Sequence, residues 1–573
     1  MTVRPATARL GVLLALGLVA VAASHCRRGD ERARKEAAAL KALVEGRQLA
    51  AIIRETDRGA GVKRLNDQVR RFYRDQHYQL VWIDDGRPTR RFNELQDAIA
   101  EAAAHGLDRT EYDLAPAAGA MNASVRASTD SGRTSPAPEL DVRITATFFR
   151  YFLHLTGGRL DPHAFEQLWS LRPQRPDLVK VLADAVRQNN LSAAVQRLAP
   201  AHPEYEALRR TLGRYREIQD KGGWPTVPAV RRLKVGAQSA AAPALRRRLA
   251  LTGDLDPSME HDARPVYDAR LADAVKRFEE RHRLQPDGIL DAAAVAAMNV
   301  PVSARIRQLE LNMERWRWLP GRMPDRYIRI NVPEFRLDII ERNSPVMDIR
   351  VIVGKPDQPT PIFADTMTHV IFSPYWNVPQ GIARDETIPE AAADPGFFER
   401  NGMEVLRGGE QIDPYSVDWS SPDETANLQI RQRPGARNAL GLVKFMFPNN
   451  FDVYLHDTPT AGLFQRLERS FSHGCVRVEE PSVLAEYVLR DQPEWSRDRI
   501  FEAMHSGTEK HVKLKSTIPV FILYLTAWAD ENGSVRFLDD LYGHDARQGA
   551  HLAHVSRSTR GRAVGGAPER GKT

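Results

Sequence analysis

Residues 442–459, with the sequence LVKFMFPNNFDVYLHDTP, give the clearest indication of a β fold in this chain. Two short runs rich in Val, Phe, Leu and Tyr, residues 442–447 and 451–456, stand on either side of the turn-forming sequence Pro-Asn-Asn. Short apolar runs joined by turn residues are typical of a β-hairpin. We therefore predict two antiparallel strands, the second of which ends at His456.

Runs of the same kind occur throughout the chain after Pro320, among them YIRINV, FRLDII, MDIRVIVG and THVIFS. Gly, Pro and Asn separate them, which is the pattern of an antiparallel β domain. We predict this domain over residues 325–505, with a C-terminal extension packed on it over residues 506–546. A long break at about residues 381–434 interrupts the pattern. Insertions of that length are usually functional loops or small subdomains, so we expect a lid-like insertion there.

The chain before residue 320 is predicted to be helical. Between residues 60 and 230, apolar side chains recur at spacings of three and four, which predicts a helical region. Residues 231–302 are predicted to form a small three-helix bundle. The middle helix of that bundle places four apolar side chains on one face, namely Leu271, Ala274, Val275 and Phe278. The expected fold class is therefore multidomain α+β.

Three further segments complete the predicted organisation. Residues 31–60 are rich in Ala, Glu, Lys and Arg and predict a helix. Residues 115–138 are rich in Ala, Ser, Thr and Pro, and we expect a surface loop there. Residues 547–573 are rich in Gly, Arg, Ser and Ala, and we expect a disordered tail.

Composition excludes little but favours a folded, multidomain protein. The 573 residues are too many for one core and indicate two to four domains. Hydrophobic residues make up 42% and charged residues 27% of the chain, which argues against general disorder. The net charge of +7 is the small difference between 81 basic and 74 acidic residues, so it identifies no partner. Without zinc-finger spacing, a Walker loop or an aromatic-rich RNA signature, nucleic-acid binding is disfavoured.

The N-terminus has the layout of a secretory signal. Arg4 and Arg9 precede an unbroken apolar run, residues 10–23, which ends in small residues. As a helix the run would span only ~21 Å, less than the ~30 Å hydrocarbon core of a bilayer. We therefore expect residues 1–25 to be a cleaved signal or a short membrane anchor, and the rest to be exported. Lipidation at Cys26 is an alternative, although a preceding His is a poor context for it.

Export makes the cysteine count informative, because cysteines in oxidising compartments normally occur in disulfide pairs. The chain has two cysteines, Cys26 and Cys475, and the first lies beside the predicted processing site. Cys475 therefore has no evident partner. It could be a buried small hydrophobe. Its neighbours in the sequence Ser-His-Gly-Cys-Val-Arg-Val, residues 472–478, are largely polar or turn-forming, which favours a nucleophile.

Cysteine catalysis needs a base or a positive neighbour, because a thiol near pH 7 is mostly protonated. Two histidines are available: His473 within the motif, and His456, which fifteen residues separate from Ser472. Gly474 permits a tight turn whose successive backbone N–H groups could bind an oxyanion. Proximity in sequence favours His473 as the base, and the residues alone leave the choice open.

The constellation resembles the signature of the L,D-transpeptidase (YkuD-like) catalytic domain, in which a His precedes Ser-His-Gly-Cys by such a spacer. The resemblance extends to a large periplasmic (YcbB-like) branch over roughly residues 60–545. It is carried by motifs such as Asn377-Val378-Pro379, Asn438-Ala439-Leu440-Gly441 and Gly222-Gly223-Trp224-Pro225. The predicted bundle resembles a peptidoglycan-binding type 1 domain, and the helical region resembles the scaffold domain of that branch.

The resemblance implies a role for each motif residue. Cys475 would be the nucleophile and His456 the general base, with the backbone amides of Gly474 and Cys475 as the oxyanion hole, while His473 would shape the loop. Arg477 would hold a substrate carboxylate or brace the loop. Three further residues are expected to line the cleft or to be core and turn residues: Ser472, Trp376 and Asn438.

The implied substrate is a peptidoglycan tetrapeptide stem. The thiolate would attack the carbonyl of the third residue, expel D-alanine and pass the acyl group to the amine of a second stem. No cofactor or metal is implied, and the expected location is the periplasm or cell envelope. Cell-wall synthases or carboxypeptidases are possible partners.

Three alternatives remain at this stage. The same cysteine could serve a carboxypeptidase or a cross-link hydrolase, if water and not an amine resolves the intermediate. The chain could be a non-catalytic wall-binding protein, although the presence of both His456 and Cys475 argues against that. A papain-like protease is disfavoured, because the Cys follows the His closely and the surrounding pattern is rich in strands.

Overall fold

The computed structural model describes residues 30–56, 61–127, 137–171, 173, 175–530 and 533–560. The predicted signal or anchor, residues 1–25, and Cys26 lie outside the described residues. Within the described part, no helix is long and apolar enough to cross a membrane. The buried apolar side chains of the described part form hydrophobic cores in the helical region, the bundle, the β domain and the insertion.

The helical region is built around one long central helix, whose sides are almost all buried. Its buried Asp141 accepts hydrogen bonds from the Tyr73 hydroxyl at 2.6 Å and the Trp82 amide at 2.8 Å, which ties three segments together. The helices are α1 (residues 30–45), α2 (Gln48–Thr56), α3 (Val62–Asp75), α4 (Arg90–Ala100), α5 (Ala115–Ala127), α6 (Ala137–Gly157), α7 (Leu178–Gln188) and α8 (Leu191–Gln196), with a small hairpin of β1 (Ile83–Asp84) and β2 (Arg87–Pro88).

The expected surface loop at residues 115–138 was wrong for its first half, because residues 115–127 form helix α5. The segment is rich in Ala, the residue with the highest helix propensity. Asp113 also accepts a hydrogen bond from the amide of Ala115 at 2.9 Å, where the helix begins. Residues 128–136 lie outside the described residues.

The predicted bundle consists of α10 (Ala242–Leu251), α11 (Ala269–Arg281) and α12 (Ala292–Met298), preceded by the long helix α9 (Pro203–Asp220). The strand pair β3 (Arg232–Leu233) and β4 (Leu290–Asp291) closes the bundle. All four apolar residues predicted for its core, Leu271, Ala274, Val275 and Phe278, are buried. Arg281 donates to the carbonyl of Val535 at 3.1 Å, and Arg283 donates to that of Pro333 at 2.6 Å. The bundle is therefore bound directly to the β domain.

The β domain holds the largest core. Helix α13 (Val302–Trp316) packs in that core together with α9, which the sequence had assigned to the helical region. The strands that follow are β5 (Arg326–Asn331), β6 (Arg336–Glu341), β7 (Ser344–Gly354), β8 (Phe363–Phe372), β9 (Trp376–Asn377), β10 (Met403–Arg407), β11 (Glu410–Ile412), β12 (Leu428–Gln432), β13 (Val443–Met446), β14 (Leu455–His456), β15 (Ser470–Ser472), β16 (Val476–Val478), β17 (Lys510–Leu523), β18 (Ala527–Ala529) and β19 (Val535–Phe537).

Eight of these strands close into a ring. Neighbours pair in the order β7, β16, β14, β13, β8, β17, β5 and β6, and β6 pairs again with β7. Strand β15 adds to β7 on one side, and the short strands β18 and β19 pair with each other. The pairs β14–β16, β15–β7 and β17–β5 are parallel, whereas the others in this sheet are antiparallel. The predicted hairpin of β13 and β14 and the mostly antiparallel fold are confirmed.

The predicted break in the β pattern is a small folded unit, which we call the insertion subdomain (residues 376–434). Its sheet has the strand order β11, β10, β12, β9. Short helices cover that sheet: α14 (Gln380–Ile382), a π-helical turn (Ala383–Thr387), α15 (Ile388–Ala393), α16 (Phe397–Arg400) and α17 (Pro422–Thr425). Phe398, Val405, Trp419 and Ile430 form its own core.

The C-terminal part of the β domain contains α18 (Pro481–Leu489), α19 (Arg497–His505) and the last helix, α20 (His544–Arg560). The expected disorder from residue 547 was wrong up to residue 560. Gln548 is fully buried and accepts a hydrogen bond from Arg315 at 2.9 Å, while Leu552, one turn further on, is also buried. Tertiary contacts along one face thus order a segment whose composition predicts no structure. Residues 561–573 lie outside the described residues.

Candidate active site

The site is built on the strands β14 and β16, which run side by side and parallel. Their register places Leu455 opposite Val476 and His456 opposite Arg477. Because successive side chains of a strand point to opposite faces, Tyr454 and His456 share one face with Cys475 and Arg477. The rings of Tyr454 and His456 are in contact, with centroids 5.8 Å apart. The thiol and the more distant of the two candidate histidines therefore lie on the same face of adjacent strands.

The Cys475 thiol is partly exposed and has two polar neighbours. Its Sγ lies 3.8 Å from the carbonyl oxygen of Asp452, and the hydroxyl of Tyr454 is hydrogen-bonded to it. Burial raises the pKa of Cys475 to about 11, although the positive charge of Arg477 acts in the opposite direction. The thiol is therefore protonated at neutral pH in this arrangement.

His456 is buried, with 4% of its surface exposed. Its Nδ1 lies 2.5 Å from the carbonyl oxygen of Asp457, and the backbone of Leu440 also hydrogen-bonds to the ring. Burial, together with the smaller effects of the nearby charges of Arg477 and Lys444, lowers the pKa of His456 to about 3. At neutral pH the ring is thus an uncharged imidazole, which can accept a proton.

Two cations stand on either side of His456 in the sheet register. Lys444 is opposite His456 on β13, and Arg477 is opposite it on β16. Arg477 donates to Thr460 Oγ1 at 3.3 Å, but its buried Nε has no hydrogen-bond partner among the residues that the structure describes. Burial lowers the pKa of both side chains. The guanidinium therefore retains hydrogen-bonding capacity next to the thiol.

The turn from Ser472 to Cys475 is held from inside by the Ser472 hydroxyl. This hydroxyl donates to the carbonyl of Cys475 at 2.5 Å and accepts from the amide of Gly474 at 3.2 Å. Thr360 donates to the carbonyl of Gly474 at 2.8 Å. Gly474 has a φ of +112°, a conformation that favours glycine. Ser472 is 2% exposed, so it supports the turn from its buried side.

His473 contacts the insertion subdomain. Its Nε2 lies 2.6 Å from Oε1 of Glu386, which belongs to the π-helical turn of the insertion subdomain. The two histidines that the sequence offered as bases thus have different surroundings. One is buried on the face of the thiol, and the other is partly exposed against the insertion.

The two remaining predicted cleft residues lie where the insertion joins the β domain. Trp376 pairs with Gln432 on β12 and is partly buried against the core of the insertion. Asn438 is 1% exposed, and its side-chain amide donates to the carbonyls of Pro374 and Arg433, both at 3.0 Å. Asn438 thereby fastens the incoming and outgoing chains of the insertion. Contact of either residue with a substrate stays a prediction.

The sequence analysis missed Tyr454, Lys444 and Glu386. The first two could have been found from the alternation of the hairpin, since residues 454 and 456 must share a face and Lys444 lies on the partner strand. No local pattern indicated Glu386, which is 87 residues from His473 in sequence. Within the described ranges, no group of three or more His, Cys, Asp or Glu side chains could hold a metal ion.

Comparison with known families gives this geometry a context. The model of the L,D-transpeptidase catalytic domain matches residues 325–512, which include both strands of the site. The chain carries an L,D-transpeptidase catalytic domain. A peptidoglycan-binding domain matches residues 239–298, which contain the three-helix bundle, and a scaffold domain matches residues 67–212. The predicted catalytic and peptidoglycan-binding domains, and the predicted division into helical, bundle and β-rich parts, are confirmed.

A protein of Haemophilus influenzae, provisionally named an L,D-transpeptidase, is 35% identical over 251 residues, or 44% of this chain and 50% of that protein. The chain thus matches about half the length of this curated relative. A crystal structure of an L,D-transpeptidase from Xylanimonas cellulosilytica covers 52% of this chain and 99% of its own, at 14% identity and a TM-score of 0.16. A score that low supports no conclusion about shared structure.

Proposed function

We propose that this L,D-transpeptidase domain cross-links peptidoglycan stem peptides between their third residues through a thioester on Cys475. The observation that carries the proposal is the common face of Cys475 and His456 on parallel strands within the matched domain. The peptidoglycan-binding bundle, bound to the β domain through Arg281 and Arg283, would keep the enzyme at its polymeric substrate. Such a substrate corresponds to a location in the cell envelope.

The first step is acylation of the cysteine. Both groups are uncharged at rest, so His456 takes the thiol proton while Sγ attacks the carbonyl carbon of the third residue of the donor stem. The bond to the terminal D-alanine then breaks. The proton held by His456 passes to the leaving amine, and a thioester of Cys475 remains. Each step thus uses His456 first as a base and then as an acid.

The tetrahedral intermediate needs donors for its negative oxygen. In the resting structure the Gly474 amide donates to Ser472, so it is not available to an oxyanion without a change in the turn. We therefore assign this role to the Cys475 amide and to the Tyr454 hydroxyl, whose bond to the thiol is released when the sulfur becomes bonded to the acyl carbon. Burial raises the pKa of Tyr454, so its hydroxyl stays protonated as a donor.

Arg477 and Lys444 would attract the carboxylates of the stems. Peptidoglycan stems end in a carboxylate, and guanidinium groups bind carboxylates through paired hydrogen bonds. Among residues 30–560 as far as they are described, nothing bonds to the Nε of Arg477, which supports this role. The amine of a second stem then attacks the thioester, which forms the cross-link and returns the proton to the His456–Cys475 pair.

The test incubates the purified chain with disaccharide-tetrapeptides and identifies products by mass spectrometry. We expect cross-linked dimers together with free D-alanine. If tripeptides formed without dimers, water would be the acceptor and the enzyme would be a carboxypeptidase. A Cys475→Ala variant with undiminished activity would refute the assignment of the nucleophile.

A further inference from the structure

We propose that Glu386 is a positioning residue, which latches the insertion subdomain to the catalytic turn through His473 and thereby controls access to Cys475. The inference rests on the proposed function for its consequence in catalysis. Its structural basis is the 2.6 Å contact between Glu386 Oε1 and His473 Nε2. This contact joins the insertion directly to the sequence Ser-His-Gly-Cys.

The insertion subdomain is a separate structural unit. It has its own four-stranded sheet and its own hydrophobic core. The chain enters it at Pro374 and leaves it at Arg433, and Asn438 binds the carbonyls of both. A rotation about these two chain segments would displace the subdomain without disturbing its core.

Glu386 lies in an unusual piece of backbone. Residues 383–387 form a π-helical turn between the short helices α14 and α15. Such turns are rare and occur frequently at functional sites. Thr387 is buried and fixes the turn to the subdomain, whereas the neighbouring Asp385 pairs with Arg384 at 2.6 Å. The turn therefore directs one carboxylate to the catalytic motif and leaves the adjacent one in a local pair.

On the other side of the contact, His473 is the residue of the catalytic turn that the insertion subdomain contacts through Glu386. Ser472 is buried beneath the turn, and Gly474 has no side chain. His473 directly precedes Gly474 and Cys475, so a displacement of its ring also displaces the peptide that carries the nucleophile. The position of the insertion is thus linked to the position of the thiol.

The contact between Glu386 and His473 is weak enough to break when the insertion subdomain moves. The side chain of Glu386 is 53% exposed and that of His473 is 25% exposed. Pairs in such surroundings shift an equilibrium only modestly, by about fivefold. Substrate binding can therefore open the latch at little cost, and its removal should be measurable without unfolding the protein.

The experiment measures access to Cys475 independently of any peptidoglycan substrate. The full chain carries Cys26→Ser throughout, so that Cys475 is the one thiol. Labelling rates are compared for a bulky fluorescein maleimide and for small iodoacetamide. The variants are Glu386→Ala, His473→Ala, the double variant and Glu386→Gln, which can still accept the hydrogen bond. Asp385→Ala is the matched control for loss of an adjacent carboxylate.

We expect Glu386→Ala to label about fivefold faster with the bulky reagent, with a change below about twofold for iodoacetamide. His473→Ala and the double variant should match it, because both remove the same contact. Glu386→Gln and Asp385→Ala should both be labelled at the slow rate of the parent protein. An unchanged maleimide rate in Glu386→Ala, or additive effects in the double variant, would overturn the proposal. If labelling follows the prediction but no D-alanine is released, the latch stands and the proposed function fails.

Discussion

The two histidines near Cys475 differ in almost every physical respect. His456 comes from a strand 19 positions before the cysteine in the numbering and is 4% exposed, with its ring bonded to backbone. His473 is two positions before the cysteine and is partly exposed against Glu386. Proximity along the chain is thus a poor guide to chemistry, because a tight turn can direct neighbouring side chains apart. Strand register decides which histidine shares the face of the thiol.

The largest expected effect is on the acylation rate and distinguishes the two histidines, each of which is replaced by alanine. His456→Ala should lower the acylation rate by roughly 100- to 10,000-fold, the usual contribution of a general base. His473→Ala removes only a contact to the insertion, and its acylation rate should fall by less than about tenfold. Acylation is measured as the burst of D-alanine in a single turnover. Equal losses in the two variants would remove the distinction between them.

The next effect concerns the tyrosine on the face of His456. Tyr454→Phe should slow acylation by about 10- to 100-fold, since it removes a hydroxyl from the thiol and from the proposed oxyanion. Tyr487→Phe is the matched control, because its hydroxyl bonds to Glu341 at 2.5 Å outside the site. Stopped-flow acylation rates give the comparison. A Tyr454→Phe rate equal to that of Tyr487→Phe would exclude the hydroxyl from the reaction.

A smaller effect should follow from replacing Arg477, whose Nε has no hydrogen-bond partner in the part of the chain that the structure describes. Arg477→Met should raise KM for tetrapeptide stems by about tenfold. For stems whose terminal carboxylate is amidated, KM should change little, because the guanidinium has no carboxylate to bind. Arg350→Met is a suitable control, because its guanidinium already pairs with Glu479, the residue that follows strand β16. If Arg477→Met affected both substrates equally, the residue would brace the loop instead.

The last expected effect is on the free energy of unfolding and its dependence on pH, not on a catalytic rate. The pKa of His456 is lowered to about 3 in the folded protein, whereas an unfolded histidine titrates near 6.5. The unfolded state therefore binds a proton first as pH falls, and the folded state loses about 1.4 kcal/mol per pH unit between those values. Denaturant unfolding at several pH values should show a loss of stability that is steeper in the wild type than in His456→Gln, where the other buried histidines, among them His105 and His544, still contribute. Parallel pH curves for the two proteins would contradict the buried, uncharged imidazole.

Much of the β domain and its site could be predicted from the sequence. The pattern of residues 442–456 is a local property, and it predicted the hairpin of β13 and β14 correctly. The Ser-His-Gly-Cys motif, together with the spacing to His456, indicated the family. These features can be predicted because each depends on residues that are close in sequence or on a repeated pattern.

The features that escaped prediction depend on distant contacts. Helix α20 is ordered by Gln548 and Leu552 against the β domain, which composition does not reveal. The pairing of Glu386 with His473 spans 87 residues and needs the fold of the insertion. Asn438 was predicted to line the cleft, but three-dimensional structure was needed to place it at the base of the insertion.

The central claim is that Cys475 is the acylated residue and that His456, and not His473, transfers its proton. The most direct test is intact mass spectrometry of the chain, quenched in acid during single turnover with a tetrapeptide stem. We predict a thioester adduct on Cys475 in the wild type and in His473→Ala, formed far more slowly in His456→Ala and absent in Cys475→Ala. An adduct that forms normally in His456→Ala but is lost in His473→Ala would contradict the account.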